Sequence, residues 1–162
     1  AAAARAVKVP LIASGGIGDG ATMAAAFALG AEGINMGTRF CAVAEAPIHD
    51  NIKQAIVKAG ERDTILIFRT MRNTGRVLKN AVSEEVVAIE TRPGGAEFKD
   101  IHPLVAGARG RAALEEGDAD GGLVWASQVC GLIDDIPTCA ELIERIVADC
   151  RASLAQAASR VA

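Results

Sequence analysis

Two glycine-containing turns carry the clearest chemistry in this sequence. The first is Ser14-Gly15-Gly16 and the second is Gly37-Thr38. Backbone N–H groups can hold a phosphate where the chain approaches it closely, and such turns often need a positive φ, which a Cβ obstructs. The pair favours a site for one phosphate dianion. The alternative is that the glycines only make tight turns.

Each turn follows a short apolar run that is typical of a β-strand. Residues 9–13 precede the first turn and residues 33–36 the second, with a helix predicted at 19–29 between them. Strands joined by one helix run parallel, so both turns lie at the carboxyl edge of one sheet. Asp19 is the predicted N-cap, and the start of this helix is expected to complete the phosphate site. Loops seven and eight of a (β/α)8 barrel bind phosphate in this arrangement.

The length of the chain is too small for a whole barrel of this kind. It has 162 residues, whereas a (β/α)8 barrel takes about 200 or more. The sequence opens with four alanines in place of methionine, and residues 1–7 are predicted to end a preceding helix. We therefore expect the carboxyl-terminal part of a longer barrel, whose upstream half is a required partner.

Composition argues against several classes of partner. The net charge is −3 with acidic and basic residues mixed, and aromatic residues make up 3%, so no nucleic-acid surface is predicted. No apolar run reaches the roughly 20 residues of a membrane span, so no membrane partner is expected. The four cysteines have neither CxxC nor zinc spacing, which favours reduced thiols in a cytoplasmic protein and no metal.

The rest of the chain predicts an insertion before a long closing helix. Helices are expected at 48–59, from 83 to before 93, and at 100–116, with a strand at 64–68. A capping box formed by Thr138 and Glu141 opens the closing helix, in which Glu141 is expected to pair with Arg145.

This insertion divides the chain into three parts. Residues 1–41 are the last barrel strands with their phosphate loops, 42–120 an inserted small α+β domain, and 121–162 the return to the barrel. An insertion after strand eight emerges at the carboxyl-terminal rim, so it is placed to act as a lid or substrate wall. Within it, residues 69–79 hold four cationic residues and no acid, which predicts a solvated face or, alternatively, a docking surface for an anionic substrate or nucleotide.

Several segments together resemble a known family. They are ASGGIGDG, GINMGTRF, FRTMRNTGRVLKNAVSEE, DIHPLVAGARGR and WASQVCGLIDDIPTCAELIERIV. From residue 9 onward the chain resembles the carboxyl-terminal half of the nitronate monooxygenases, formerly called 2-nitropropane dioxygenases. Flavin-dependent enoyl-acyl-carrier-protein reductases share this plan. IMP dehydrogenase and many phosphosugar barrels have similar glycine turns. The last of the segments quoted above is the one that distinguishes the nitronate monooxygenase family from them.

The resemblance implies an FMN-binding TIM barrel with an inserted substrate domain. It also implies a set of cofactor-binding residues on the two phosphate loops and near the flavin: Ala13, Ser14, Gly15, Gly16, Met36, Gly37, Thr38 and Gln128. The family usually has a glycine before this glutamine, where this chain has Ser127. For Gln128 the alternative role is a hydrogen bond at a helix start.

The implied activity is FMN-dependent oxidation of alkyl nitronates with dioxygen. The family's general base is a histidine in an upstream segment that this chain does not contain, so the chain alone is expected to be inactive and no catalytic residue is assigned. Neither His49 nor His102 ends a predicted barrel strand. One alternative is the reduction of enoyl thioesters, with residues 69–79 serving an acyl carrier protein or NADH. The other is a non-catalytic phosphate-binding fragment.

Overall fold

The first part of the chain is a parallel strand pair joined by a helix. A computed structural model describes residues 1–161, in which a short α1 (Ala2–Ala6) precedes β1 (Ile12–Ser14). Helix α2 (Gly20–Ala28) leads to β2 (Gly33–Asn35), and the single turn α3 (Thr38–Cys41) follows. Ile12 lies opposite Gly33, and Ser14 lies opposite Asn35. The predicted strand, turn, helix and strand are confirmed.

Helix α2 is held by its cap and by close packing on the closing helix, α8 (Cys139–Ser159). Asp19 is the N-cap, as predicted, and its carboxylate accepts a 2.7 Å hydrogen bond from the Thr22 N–H. A Cβ at Gly20 would lie 2.5 Å from the Cys150 backbone nitrogen. Only a glycine therefore allows this approach of the two helices, because any other side chain would overlap the α8 backbone.

The closing helix begins with the predicted capping box, but one predicted ion pair is wrong. The Glu141 carboxylate accepts hydrogen bonds from the Thr138 N–H and hydroxyl, at 2.9 and 2.8 Å. The Arg145 guanidinium instead donates to Asp135, at 2.6 and 3.0 Å. Asp135 lies in the extended segment before the helix, a neighbour that helical spacing does not reveal. No helix within residues 1–161 is long and apolar enough to cross a membrane.

Six further helices and strands lie between α3 and α8. They are α4 (Asp50–Lys58), β3 (Thr64–Ile67), β4 (Gly75–Leu78), α5 (Ala81–Glu90), α6 (Phe98–Val105) and α7 (Gly107–Glu116), followed by a 3₁₀ helix (Gln128–Leu132). β3 and β4 form an antiparallel hairpin, and Val77 makes an isolated bridge to Trp125. Two buried clusters lie in this region, one centred on α4 and the 3₁₀ helix and the other under the hairpin.

Two predictions in the insertion are corrected. The cationic run 69–79 is not a continuous solvated face, because its second half forms β4, where Val77 is fully buried and Arg76 donates to the Thr64 hydroxyl at 2.9 Å. Helix α5 begins at Ala81 and not at Ser83. Asn80 is its N-cap, and Ser83 is the third residue of that capping box. The composition of residues 69–79 does not reveal this strand, because only Val77 and Leu78 in it are buried and the cationic residues around them dominate the segment.

The four cysteines are free thiols, as predicted. Cys130 and Cys150 are buried, and burial raises the pKa of Cys130 to about 11. Burial also raises the pKa of Cys41. With their pKa values raised, the Cys41 and Cys130 thiols are protonated at neutral pH and act as packing groups.

Candidate functional site

The turn after β1 has the backbone geometry that was predicted for a phosphate loop. Gly15 has φ +91° and Gly16 has φ +73°, values that residues with a Cβ rarely adopt. A Cβ built on either glycine would meet no atom within 4 Å. The space beside this turn is therefore open for a ligand to approach the main chain.

The turn after β2 differs in detail. Gly37 is the N-cap of α3 with φ −93°, so its backbone conformation does not require glycine. A Cβ there would also meet open space. Among the residues that the structure covers, no protein group accepts a hydrogen bond from the N–H groups of Gly16, Gly37 or Thr38. Unpaired N–H groups from two adjacent turns are the donors that a phosphate requires.

The register of β1 and β2 determines which side chains face the space beside the two turns. Ser14 and Asn35 are opposite one another on the same face, and the Asn35 amide donates to the Ser14 hydroxyl at 3.0 Å. Ala13 faces the other way and lines a cavity against α2, and Met36 packs with Val43 and the α8 face. Gly15 and Gly16 line the same cavity as Ala13, so the first turn is open on the side of α2. Asn35 was not among the predicted residues, and the alternation of side chains along β2 was the signal for it.

The predicted contribution of the α2 start to the site stays a prediction, and the helix's own cap occupies part of the N–H groups there. Its cap uses the local N–H groups, since Thr22 N–H donates to the Asp19 carboxylate and Gly18 N–H to the Thr22 hydroxyl. The Asp19 carboxylate would also repel a phosphate.

Ser127 joins the second glycine turn, whereas Gln128 does not. The Ser127 N–H donates to the Thr38 hydroxyl at 3.1 Å, and the two hydroxyl oxygens are 3.4 Å apart. Gln128 is the first residue of the 3₁₀ helix, and its side-chain amide donates to the Glu61 carbonyl at 3.3 Å. The geometry thus brings the residue before the predicted one to the site.

Arg39 has a structural role and not a phosphate-binding one. Its side chain is 2% exposed and donates to the Ala42 carbonyl at 2.7 Å and to Asp135. Burial lowers the pKa of Arg39, and the Asp135 carboxylate opposes that effect. The hydrogen bonds from Arg145 are the main reason why the pKa of Asp135 is lowered. This cluster fixes α3 against the segment before α8.

Neither histidine lies at the glycine turns. His49 is the N-cap of α4, where its Nδ1 accepts from the Asn51 N–H at 3.1 Å. The His102 ring contacts Phe98 edge-on within α6. No group of three or more His, Cys, Asp or Glu residues in the described part of the chain could hold a metal ion.

Comparisons with known proteins agree with this arrangement. The family model for nitronate monooxygenase matches residues 1–149. The structure of FabK from Thermotoga maritima aligns with a TM-score of 0.89 and 36% identity, covering 97% of this chain and 49% of FabK. A nitronate monooxygenase from Paraburkholderia phytofirmans is 33% identical, over 94% of this chain and 41% of the relative.

A third relative acts on a coenzyme A thioester by its name. It is the (3aS,4S,5R,7aS)-5-hydroxy-7a-methyl-1-oxo-octahydro-1H-indene-4-carboxyl-CoA dehydrogenase of Mycobacterium tuberculosis, 29% identical over 94% of this chain and 53% of the relative. The chain thus spans about half the length of the proteins it matches. Their common fold is an α/β TIM barrel, and the family consists of flavin oxidoreductases related to the FabK enoyl-acyl-carrier-protein reductase. This chain belongs to the nitronate monooxygenase family.

Proposed function

We propose that this chain supplies the phosphate-binding half of an FMN site in an oxidoreductase that oxidises alkyl nitronates with dioxygen. The observation that carries the proposal is the pair of adjacent turns with unpaired N–H groups and open space beside Gly15, Gly16 and Gly37. A phosphate dianion suits this donor set because each charge-assisted hydrogen bond is stronger than a neutral one.

The residues of the two turns have separate tasks in this proposal. The N–H groups of Gly16, Gly37 and Thr38 would hold the phosphate. The Ser127 N–H fixes the Thr38 hydroxyl by donating a hydrogen bond to it. Ser14 and Asn35 form a polar pair on the face of the strands beside the turns, where they would orient the isoalloxazine. When bound, FMN would supply the redox chemistry by taking electrons from the substrate and passing them to dioxygen.

The catalytic base is proposed to come from an upstream half of the barrel. The relatives are about twice as long as this chain, and FabK is covered to 49%. Large apolar side chains of the barrel part are uncovered, including Ile12 at 55% and Leu29 at 59% exposure. Further strands and helices would cover them, since a barrel leaves no free strand edge. The region 42–120 would then form a lid or wall over the mouth.

A second activity, reduction of an enoyl thioester with NADH, is favoured by one specific observation. The chain aligns with FabK at a TM-score of 0.89, and the name of a second relative includes a coenzyme A thioester. Arg69 and Arg72 are exposed at the tip of the β3–β4 hairpin and could contact an anionic carrier or nucleotide.

Two assays separate the activities, with the chain joined to the upstream half of its barrel. Oxygen consumption with propyl nitronate is the result expected for the main proposal, and NADH consumption with a crotonyl thioester is the result expected for the second. Turnover of neither substrate by a flavin-loaded protein would contradict both. A protein that binds no flavin would instead be a non-catalytic phosphate-binding module.

A further inference from the structure

A cleft of about 260 Å³ lies in the inserted region, lined by none of the residues of the glycine turns. It is bounded by α6, α7 and the segment that leads to the 3₁₀ helix. Its walls are apolar, with side chains from Leu104, Val105, Leu114, Leu123 and Trp125. Apolar walls of this kind gain free energy when they cover an aliphatic group and release water.

One wall of the cleft is the exposed ring of Trp125. The ring lies against Gly75, where a Cβ would come within 2.5 Å of it, and its centroid is 6.4 Å from that of Phe68. The bridge to Val77 also fixes its backbone. Trp125 nevertheless remains 57% exposed. A rigid aromatic surface that stays open to solvent is available to a ligand without loss of side-chain entropy.

The cleft also has a cationic residue at its edge. Arg111 lines it and is exposed, and the side chain makes no hydrogen bond or ion pair with any residue in the 1–161 range. An apolar slot with a free guanidinium beside it is complementary to an aliphatic chain that ends in one carboxylate.

We propose that this cleft binds a medium-chain aliphatic carboxylate. A methylene group occupies about the volume of a water molecule, roughly 30 Å³, so a cavity of about 260 Å³ accommodates a chain of about eight carbons. The chain would lie against Trp125 and Leu123, and the carboxylate would pair with Arg111. The proposal is independent of the flavin site, and its test needs no flavin.

Trp125 makes the test direct because it is the single tryptophan of the chain. Octanoate should give a saturable change in intrinsic fluorescence, with affinity rising about fourfold per added methylene from butanoate to octanoate. Arg111→Gln should weaken octanoate about fivefold and leave octanol unchanged, since only the carboxylate needs the charge. Arg62→Gln, an exposed arginine outside the cleft lining, is the matched control and should change neither.

A filled cleft gives an independent check. A Cβ at Gly110 would make only ordinary contact, 3.6 Å from the Leu123 carbonyl oxygen, so Gly110→Leu should fold and occupy the cleft. Its circular dichroism should match that of the parent, and its response to octanoate should be lost. The proposal would be overturned if the affinity were the same for carboxylates of every chain length. It would also be overturned if Arg111→Gln weakened the binding of octanoate and octanol equally. An absence of any saturable response to octanoate would also overturn the proposal.

Discussion

At the scale of single residues, the site depends on main-chain groups and not on side chains. The conformation of Gly15 and Gly16 was predictable because two glycines after a strand favour a turn with positive φ, which both residues have. The alternation of side chains along β2 was a signal for Asn35 that the prediction missed, whereas Ser127 was not predictable because its position depends on a contact between residues 38 and 127. The resemblance predicted that Gln128 lies near the flavin, whereas its side-chain amide donates to the Glu61 carbonyl.

Replacement of Gly16 by valine should weaken FMN binding at least about tenfold. A β-branched residue at φ +73° is strained, and relief of that strain would turn the N–H away from the phosphate. Flavin fluorescence quenching measures the affinity. Gly95→Val is the matched control, because Gly95 has φ +77° and open surroundings in the loop between α5 and α6. Unchanged affinity in Gly16→Val would exclude this turn from the site.

Replacement of Asp135 by asparagine should lower the free energy of unfolding by about 1–2 kcal/mol near pH 6, a value reduced for the partial exposure of the pair. The folded pKa of Asp135 is lowered, chiefly by Arg145, so its stabilisation is present above the unfolded pKa of about 3.9 and lost as the pH falls below it. Urea unfolding from pH 6 to pH 3 should show the gap between parent and variant closing.

The control for this series is Glu144→Gln. Glu144 is an exposed carboxylate beside Arg145 on α8, and its replacement should change stability by less than about 0.5 kcal/mol at any pH. A gap for Asp135→Asn that is the same at pH 3 and pH 6 would show that the ionised carboxylate is not the source of the stabilisation.

At the scale of elements, the caps and periodicities of the barrel part and of α8 were readable from sequence. Both α2 and α8 start at the predicted N-caps, Asp19 and Thr138, because a cap and its partner three residues later are local signals. β4 was missed because its pairing with β3 is set by tertiary contacts. The contribution of the α2 start to the site stays a prediction, since the capping box pairs the Thr22 N–H but not the N–H groups of Gly20 and Ala21.

The contact between α2 and α8 makes a prediction of its own. Gly20→Ala should lower the free energy of unfolding by about 1–3 kcal/mol, because the added methyl group would overlap the backbone of Ile146 and Cys150, which cannot move aside as a side chain would. Urea denaturation measures the loss. Gly107→Ala, where a Cβ meets nothing within 4 Å, is the control and should stay within about 0.5 kcal/mol of the parent. Equal stability of both variants would contradict this close packing.

At the scale of the whole molecule, the β1–β2 pair forms one side of the proposed ligand site. The chain aligns with about half of FabK, and apolar residues such as Ile12 and Leu29 are exposed in it. The division into barrel residues and an inserted domain remains a prediction from the spacing of predicted elements. The identity of the electron donor and acceptor depends on residues beyond the two glycine turns, so it was not predictable from them.

The central claim is that the two glycine turns bind the phosphate of FMN. A comparison of the affinities for FMN and riboflavin tests this claim most directly. Riboflavin lacks only the phosphate, so both flavins should be titrated by fluorescence quenching into the barrel that contains this chain. Two or more charge-assisted hydrogen bonds predict that FMN binds at least about 100-fold more tightly. Equal affinities for the two flavins would contradict the account.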